Sequence, residues 1–121
     1  MRYQSRIPFR SIFRVKVCNP KNDQLIGYVG DVSEGGLKLL SDAAVAQDTL
    51  MNLRLKMRVR EDEMLQLDVV LRCKWSRFNR KSGYVESGCM LEQPSTELGA
   101  LVENMRVLRA RQDRLEVAEP N

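Results

Sequence analysis

The stretch Leu53-Arg54-Leu55-Lys56-Met57-Arg58-Val59-Arg60-Glu61-Asp62-Glu63-Met64-Leu65-Gln66-Leu67-Asp68-Val69-Val70-Leu71-Arg72-Cys73-Lys74-Trp75 decides the fold. Leu53, Leu55, Met57 and Val59 alternate with Arg54, Lys56, Arg58 and Arg60, a strict period of two. After the acidic turn Glu61-Asp62-Glu63 the alternation resumes through Leu65, Leu67, Val69, Leu71, Cys73 and Trp75. A period of two sends successive side chains to opposite faces of a sheet, so the segment reads as two long strands joined tightly.

The same period extends on both sides. Phe13, Val15 and Val17 alternate with Arg14 and Lys16, and the cluster Asn19-Pro20-Lys21-Asn22-Asp23 ends that run. A second strand covers Leu25 to about Val32, and Ser33–Gly36 turns the chain into a short third strand, Leu37–Leu40. Residues 41–49 are a connection, Asn79–Gly83 a loop, and Tyr84–Glu92 the sixth strand. The period then changes. Pro94-Ser95-Thr96-Glu97 is a helix start, and Leu98, Leu101, Val102, Met105 and Leu108 follow helical spacing. The fold class is therefore mainly β: a six-stranded antiparallel barrel with a C-terminal α-helix plugging an end or covering a face. The expected division is a flexible basic arm over residues 1–12, the barrel and helix over 13–112, and a polar tail over 113–121.

Composition narrows the chemistry. The chain has 121 residues, 20 Lys and Arg against 16 Asp and Glu, and a net charge of +4. It has no histidine, which removes Ser-His-Asp and Cys-His catalysis and the commonest metal ligand. The three cysteines, Cys18, Cys73 and Cys89, have no C-x-x-C spacing and argue against a disulfide framework or a structural zinc site. Cys73 reads as core filler. The expectation is no enzyme, no metal and no cofactor. No apolar run approaches the ~20 residues a membrane helix needs and no signal-peptide pattern opens the chain, so a cytoplasmic location without membrane insertion is expected. The basic stripe Arg54–Arg60 carries no aromatic residue, which sets a nucleic-acid-binding barrel aside. It reads as a solvated face with cross-strand partners such as Asp68, or as a contact for an acidic protein.

Two short strings carry the site. Arg6-Ile7-Pro8-Phe9-Arg10 sets two guanidiniums four residues apart in a segment, residues 1–20, that holds five basic residues and no acid. Pro8 lacks an N–H and holds Ile7 extended, which disfavours a helix there. Asp31-Val32-Ser33-Glu34-Gly35-Gly36 places an acid, a hydroxyl and glycines in a turn. Guanidiniums are rigid forks for phosphate oxygens and the O6/N7 edge of guanine. A small polar turn offers backbone N–H groups and short acceptors. The combination points to a guanine nucleotide bound without chemistry being done on it.

R-x-x-x-R followed about twenty residues later by D-x-S-x-x-G resembles the signature of the PilZ domain, a family of bacterial receptors for cyclic di-GMP. The family's split barrel of six strands and a closing helix lies over nearly the whole chain. The resemblance implies that Arg6 and Arg10 grip phosphate and a guanine Hoogsteen edge. It implies that Asp31 and Ser33 meet the other polar edge, and that Gly36 lets backbone approach the ligand. Gly35 and Trp75 are weaker candidates. Trp75 ends the longest strand on its apolar phase, where it caps the core or stacks on a base. In this family an arginine directly before R-x-x-x-R accompanies an intercalated pair of ligands. Ser5 stands there, which favours a single ligand. The implied function is a cyclic di-GMP receptor that orders its arm on binding and signals through an effector protein, as monomer or dimer. The alternative is a PilZ-like interaction module that binds no nucleotide.

Overall fold

The computed structural model describes Ile7–Pro8 and residues 15–118. Among the described residues seven strands precede one helix: β1 (Ile7–Pro8), β2 (Val15–Cys18), β3 (Leu25–Ser33), β4 (Gly36–Ser41), β5 (Leu50–Arg60), β6 (Glu63–Phe78), β7 (Val85–Leu91) and α1 (Thr96–Ala118). All pairings are antiparallel. Six strands close a ring in the order β3-β2-β5-β6-β7-β4, with β4 returning to β3. Closure leaves no long unpaired edge in the ring.

The inward phase fills the barrel with Val15, Val17, Val29, Val32, Leu37, Leu39, Leu53, Leu55, Met57, Leu67, Val69, Leu71 and Cys89. Leu98, Leu101, Val102 and Met105 of α1 belong to the same core, at spacings of three and four that form one helical stripe. The Ser95 hydroxyl accepts the Leu98 N–H at 3.0 Å and caps the first turn. Leu101 and Met105 are thus consumed by the chain's own barrel. The helix continues to Ala118, through the segment read as a polar tail.

The outward phase of β5 has its own partners. Arg54 makes two hydrogen bonds to Asp68, its register partner on β6. Lys56 donates to Asp23, and Arg58 donates to the Glu61 carbonyl. The stripe is therefore a face of ion pairs, with a local hydrogen bond at Arg58. Hydrogen bonds from Lys56 and Arg54 hold the Asp23 and Asp68 carboxyls, respectively, below the usual carboxylate range.

Two bulges interrupt the alternation where it matters. On β3 the register with β4 shifts between Val29 and Asp31, leaving Gly30 as the extra residue. Val29 and Val32 are both buried, so Asp31 points outward, whereas unbroken alternation from Val29 would turn it into the core. On β6 the register with β7 shifts between Cys73 and Trp75, with Lys74 the extra residue. Cys73 is fully buried, yet Trp75 is 42% exposed. Trp75 is therefore not a core cap. The bulge breaks the apolar phase that would have placed it inside.

Candidate functional site

β4 occupies one edge of β3 along Gly27–Ser33, so β1 and β2 share the other edge. β1 pairs there as Ile7↔Val32 and Pro8↔Asp31. The middle of R-x-x-x-R thus lies beside the start of D-x-S-x-x-G. Pro8 and the extended Ile7 before it suit such a short edge pairing. Arg6 and Arg10 lie outside the described residues. The chain carries them one residue before and two residues after the paired dipeptide.

From Asp31 a continuous row of partners crosses the outer surface: Asp31↔Lys38, Lys38↔Gly88 and Gly88↔Trp75. Directly opposed residues share a face, so Asp31, Lys38, Gly88 and Trp75 form one band over β3, β4, β7 and β6, with the β1 backbone paired alongside Asp31. With neighbouring strands about 4.8 Å apart, Asp31 and Trp75 stand about 14 Å apart along the sheet. Both bulges serve this band, since each turns outward a residue that alternation would bury.

A Cβ on Gly88 would fall inside the Trp75 indole, 2.8 Å from Cζ2. Arg77 covers the ring from elsewhere, with Cζ 5.0 Å from the ring centroid. Lys38 Nζ lies 3.6 Å from Asp31 Oδ2 and 3.8 Å from Glu86 Oε1. Asn79 Nδ2 donates to the other Glu86 oxygen at 2.7 Å. The result is an exposed aromatic at one end, an acid at the other and a cation between.

The turn residues divide differently from the expectation. Ser33 is 1% exposed, and its hydroxyl accepts the Gly35 N–H at 3.4 Å. The Gly35 carbonyl accepts the Leu91 N–H at 2.9 Å. Gly36 pairs with Met90, and a Cβ there would strike the Cys89 carbonyl. Its missing side chain lets β7 approach, a requirement of the barrel itself. Glu34, at the tip of the turn, accepts from Arg106 of α1 at 2.9 Å, and that bond holds its carboxyl below the usual range. Glu34 and Lys38 were missed in the sequence, because their significance depends on which strands and helix stand beside them.

Cys73 and Cys89 face each other across β6 and β7 on the inner surface, beneath the Gly88–Trp75 pair. Both are buried, and burial pushes the Cys89 thiol up to about 12, with Cys73 adding to the effect. These thiols are packing groups. Among the described residues no cluster of His, Cys, Asp and Glu could hold a metal ion, and no helix is long and apolar enough to cross a membrane.

The PilZ domain model matches residues 2–108, and the chain belongs to that family. No curated protein matches it. Among solved structures it resembles the complex of K. pneumonia MrkH with c-di-GMP, at a TM-score of 0.68 and 17% identity, over 93% of this chain and 55% of that one. It also resembles the PilZ domain of YcgR from Escherichia coli with c-di-GMP, at 0.61 and 11% identity over 98% of both chains. The Bacillus subtilis inhibitor of motility, MotI/DgrA, matches at 0.55 and 14% identity, over 99% of this chain and 54% of that one. The chain thus spans about half the length of the MrkH and MotI chains. At these identities the likeness shows the fold.

Proposed function

We propose that the chain is a receptor for cyclic di-GMP, bound on the outer band between β1 and Trp75. The observation that carries this reading is the pairing of Pro8 with Asp31, which sets the two motifs edge to edge. Arg6 and Arg10 supply fork donors to phosphate and to the guanine O6/N7 edge. Asp31 accepts from the guanine N1–H and amino group. Charge-assisted contacts of this kind contribute ~1.5–3 kcal/mol each. Ser33 shapes the turn beside Asp31 through its hydroxyl, which accepts the Gly35 N–H. Trp75 supplies an apolar plane on which a base can stack. Two structural neighbours, MrkH and the YcgR PilZ domain, are complexes with c-di-GMP, which supports the same ligand here.

In this reading the ligand fixes residues 1–12 on β3, where β1 already pairs, and completes a surface for an effector protein, so output passes through a partner. The site, in this reading, holds and reads a nucleotide without doing chemistry on it. Calorimetric titration tests the reading. Cyclic di-GMP should bind, and GTP and cyclic di-AMP should bind at least ~100-fold more weakly, since guanine-edge contacts are worth ~1–3 kcal/mol each. Absence of heat with cyclic di-GMP leaves the alternative, an interaction module without nucleotide.

A further inference from the structure

Lys38 stands where none of the site roles assigned so far uses it. It lies between Asp31 and Gly88 in the outer band, two residues beyond Gly36. Its stem runs over the bulge residue, since a Cβ on Gly30 would meet Lys38 Cε at 3.1 Å. Its ammonium lies 3.6 Å from Asp31 Oδ2 and is balanced on the far side by Glu86 at 3.8 Å. The Lys38 side chain keeps 29% of its surface exposed, against 17% for Asp31 and 11% for Glu86. The cation is thus anchored near the acid while remaining open to solvent.

The guanine Watson–Crick edge presents, in order, the O6 acceptor, the N1–H donor and the N2–H donors. A carboxylate facing N1–H and N2–H leaves O6 as the next atom along that edge, beside the carboxylate oxygen that takes N1–H. A cation close to that oxygen is placed to donate to O6. We infer that Lys38 and Asp31 together read the whole Watson–Crick edge of a guanine, with Lys38 donating to O6 and so determining the choice of guanine over adenine. Adenine puts an amino donor where O6 would be and an acceptor in place of N1–H. It would meet the ammonium donor to donor and the carboxylate acceptor to acceptor. A lysine ammonium has three donors and can keep Asp31 while reaching O6. The phosphates stay with Arg6 and Arg10.

The inference rests on the proposed receptor reading, and one titration series separates the two. Wild-type, Lys38→Met and Lys38→Arg proteins, each shown to be folded by circular dichroism, are titrated with cyclic di-GMP and, by competition, with cyclic di-AMP. The expected result is a loss of about 10- to 100-fold for cyclic di-GMP in Lys38→Met, with cyclic di-AMP binding much less affected, so that the selectivity ratio collapses. Lys38→Arg, which keeps a cationic donor, should restore most of that ratio. An equal loss for both nucleotides would make Lys38 a general phosphate contact and overturn the inference, as would unchanged affinity in Lys38→Met. Failure of the wild type to bind cyclic di-GMP overturns the receptor reading, and the inference with it.

Discussion

The Nε1, Cε2 and Cζ2 atoms of the Trp75 indole sit against Gly88 of the neighbouring strand, on ground that a single methyl group would occupy. Gly88 is therefore the floor of the aromatic end of the band, and Trp75 keeps its position because nothing stands beneath it. Gly88→Ala should expel the ring. The chain has one tryptophan, so selectively excited tryptophan emission reports on the surroundings of this one ring. The variant should show a changed emission maximum without ligand and a stability loss of about 1–3 kcal/mol in urea, from overpacking. An unaltered spectrum would show that the indole is not held by Gly88.

Trp75→Ala separates the ring's part in binding from its part in the fold. The ring is largely outside the core, so the melting temperature should change little. Affinity for cyclic di-GMP should fall by about 1–3 kcal/mol, the usual contribution of a base stacked on an aromatic side chain. In the wild type, titration with the nucleotide should change Trp75 emission in step with the calorimetric isotherm. Loss of stability with affinity intact would return Trp75 to a structural role.

Arg6→Ala and Arg10→Ala should each abolish or severely weaken binding while leaving the melting temperature of the free protein unchanged, because the sequence reading puts both on an arm outside the barrel. Asp31→Ala should weaken binding and also lose the Lys38 ion pair. Unfolding of Arg10→Ala, measured by circular dichroism, would show that the first ten residues are part of the folding unit.

How far the sequence could be read shows at these same residues. Strand and helix order was legible, because period two through Val15–Val17, Leu53–Met57 and Leu65–Cys73 and helical spacing through Leu98–Met105 are enforced by burial. The D-x-S-x-x-G turn was legible as a turn. The facing of Asp31 and Trp75 was not, since a bulge resets the phase by one residue and neither Gly30 nor Lys74 announces one. The band itself depends on register between strands far apart in sequence. β4 pairs with β7 across the whole length of β5 and β6, and no local pattern encodes that Lys38 will stand beside Gly88.

Saturating cyclic di-GMP should raise the melting temperature and protect the first twelve residues from trypsin. A ligand confined to the folded state stabilises it by RT ln(1 + [L]/Kd), about 2.7 kcal/mol at a hundredfold excess over Kd. Arg2, Arg6 and Arg10 are trypsin sites in that segment. Mass spectrometry of timed digests should show cleavage after Arg6 and Arg10 slowed by the nucleotide. Equal rates with and without ligand would rule out ordering of the arm.

Helix α1 closes the barrel, and its link to the site is the Glu34–Arg106 pair. Truncation after Glu92 removes Leu98, Leu101, Val102 and Met105 from the core, and the shortened chain should lose cooperative unfolding rather than merely change its oligomeric state. A truncated chain that stays folded but passes from dimer to monomer in light scattering would instead assign the helix to self-association. The ion pair is exposed, so its effect on stability is small and screened by salt. Its sign in acid is nevertheless fixed. Arg106 holds the Glu34 carboxyl below its ordinary value of 4.5, so the folded state binds fewer protons there than the unfolded chain. The contribution is complete above 4.5 and is lost as pH falls through the lowered value. Asp23, Asp68 and Glu92 are lowered in the same way by Lys56, Arg54 and Arg72, so the wild type should lose stability in acid through all four. In Glu34→Gln the fall in melting temperature below pH 4.5 should be shallower than in the wild type, with the difference shrinking in high salt. Superimposable pH profiles for the two proteins would show that Glu34 and Arg106 do not hold the turn to the helix in solution.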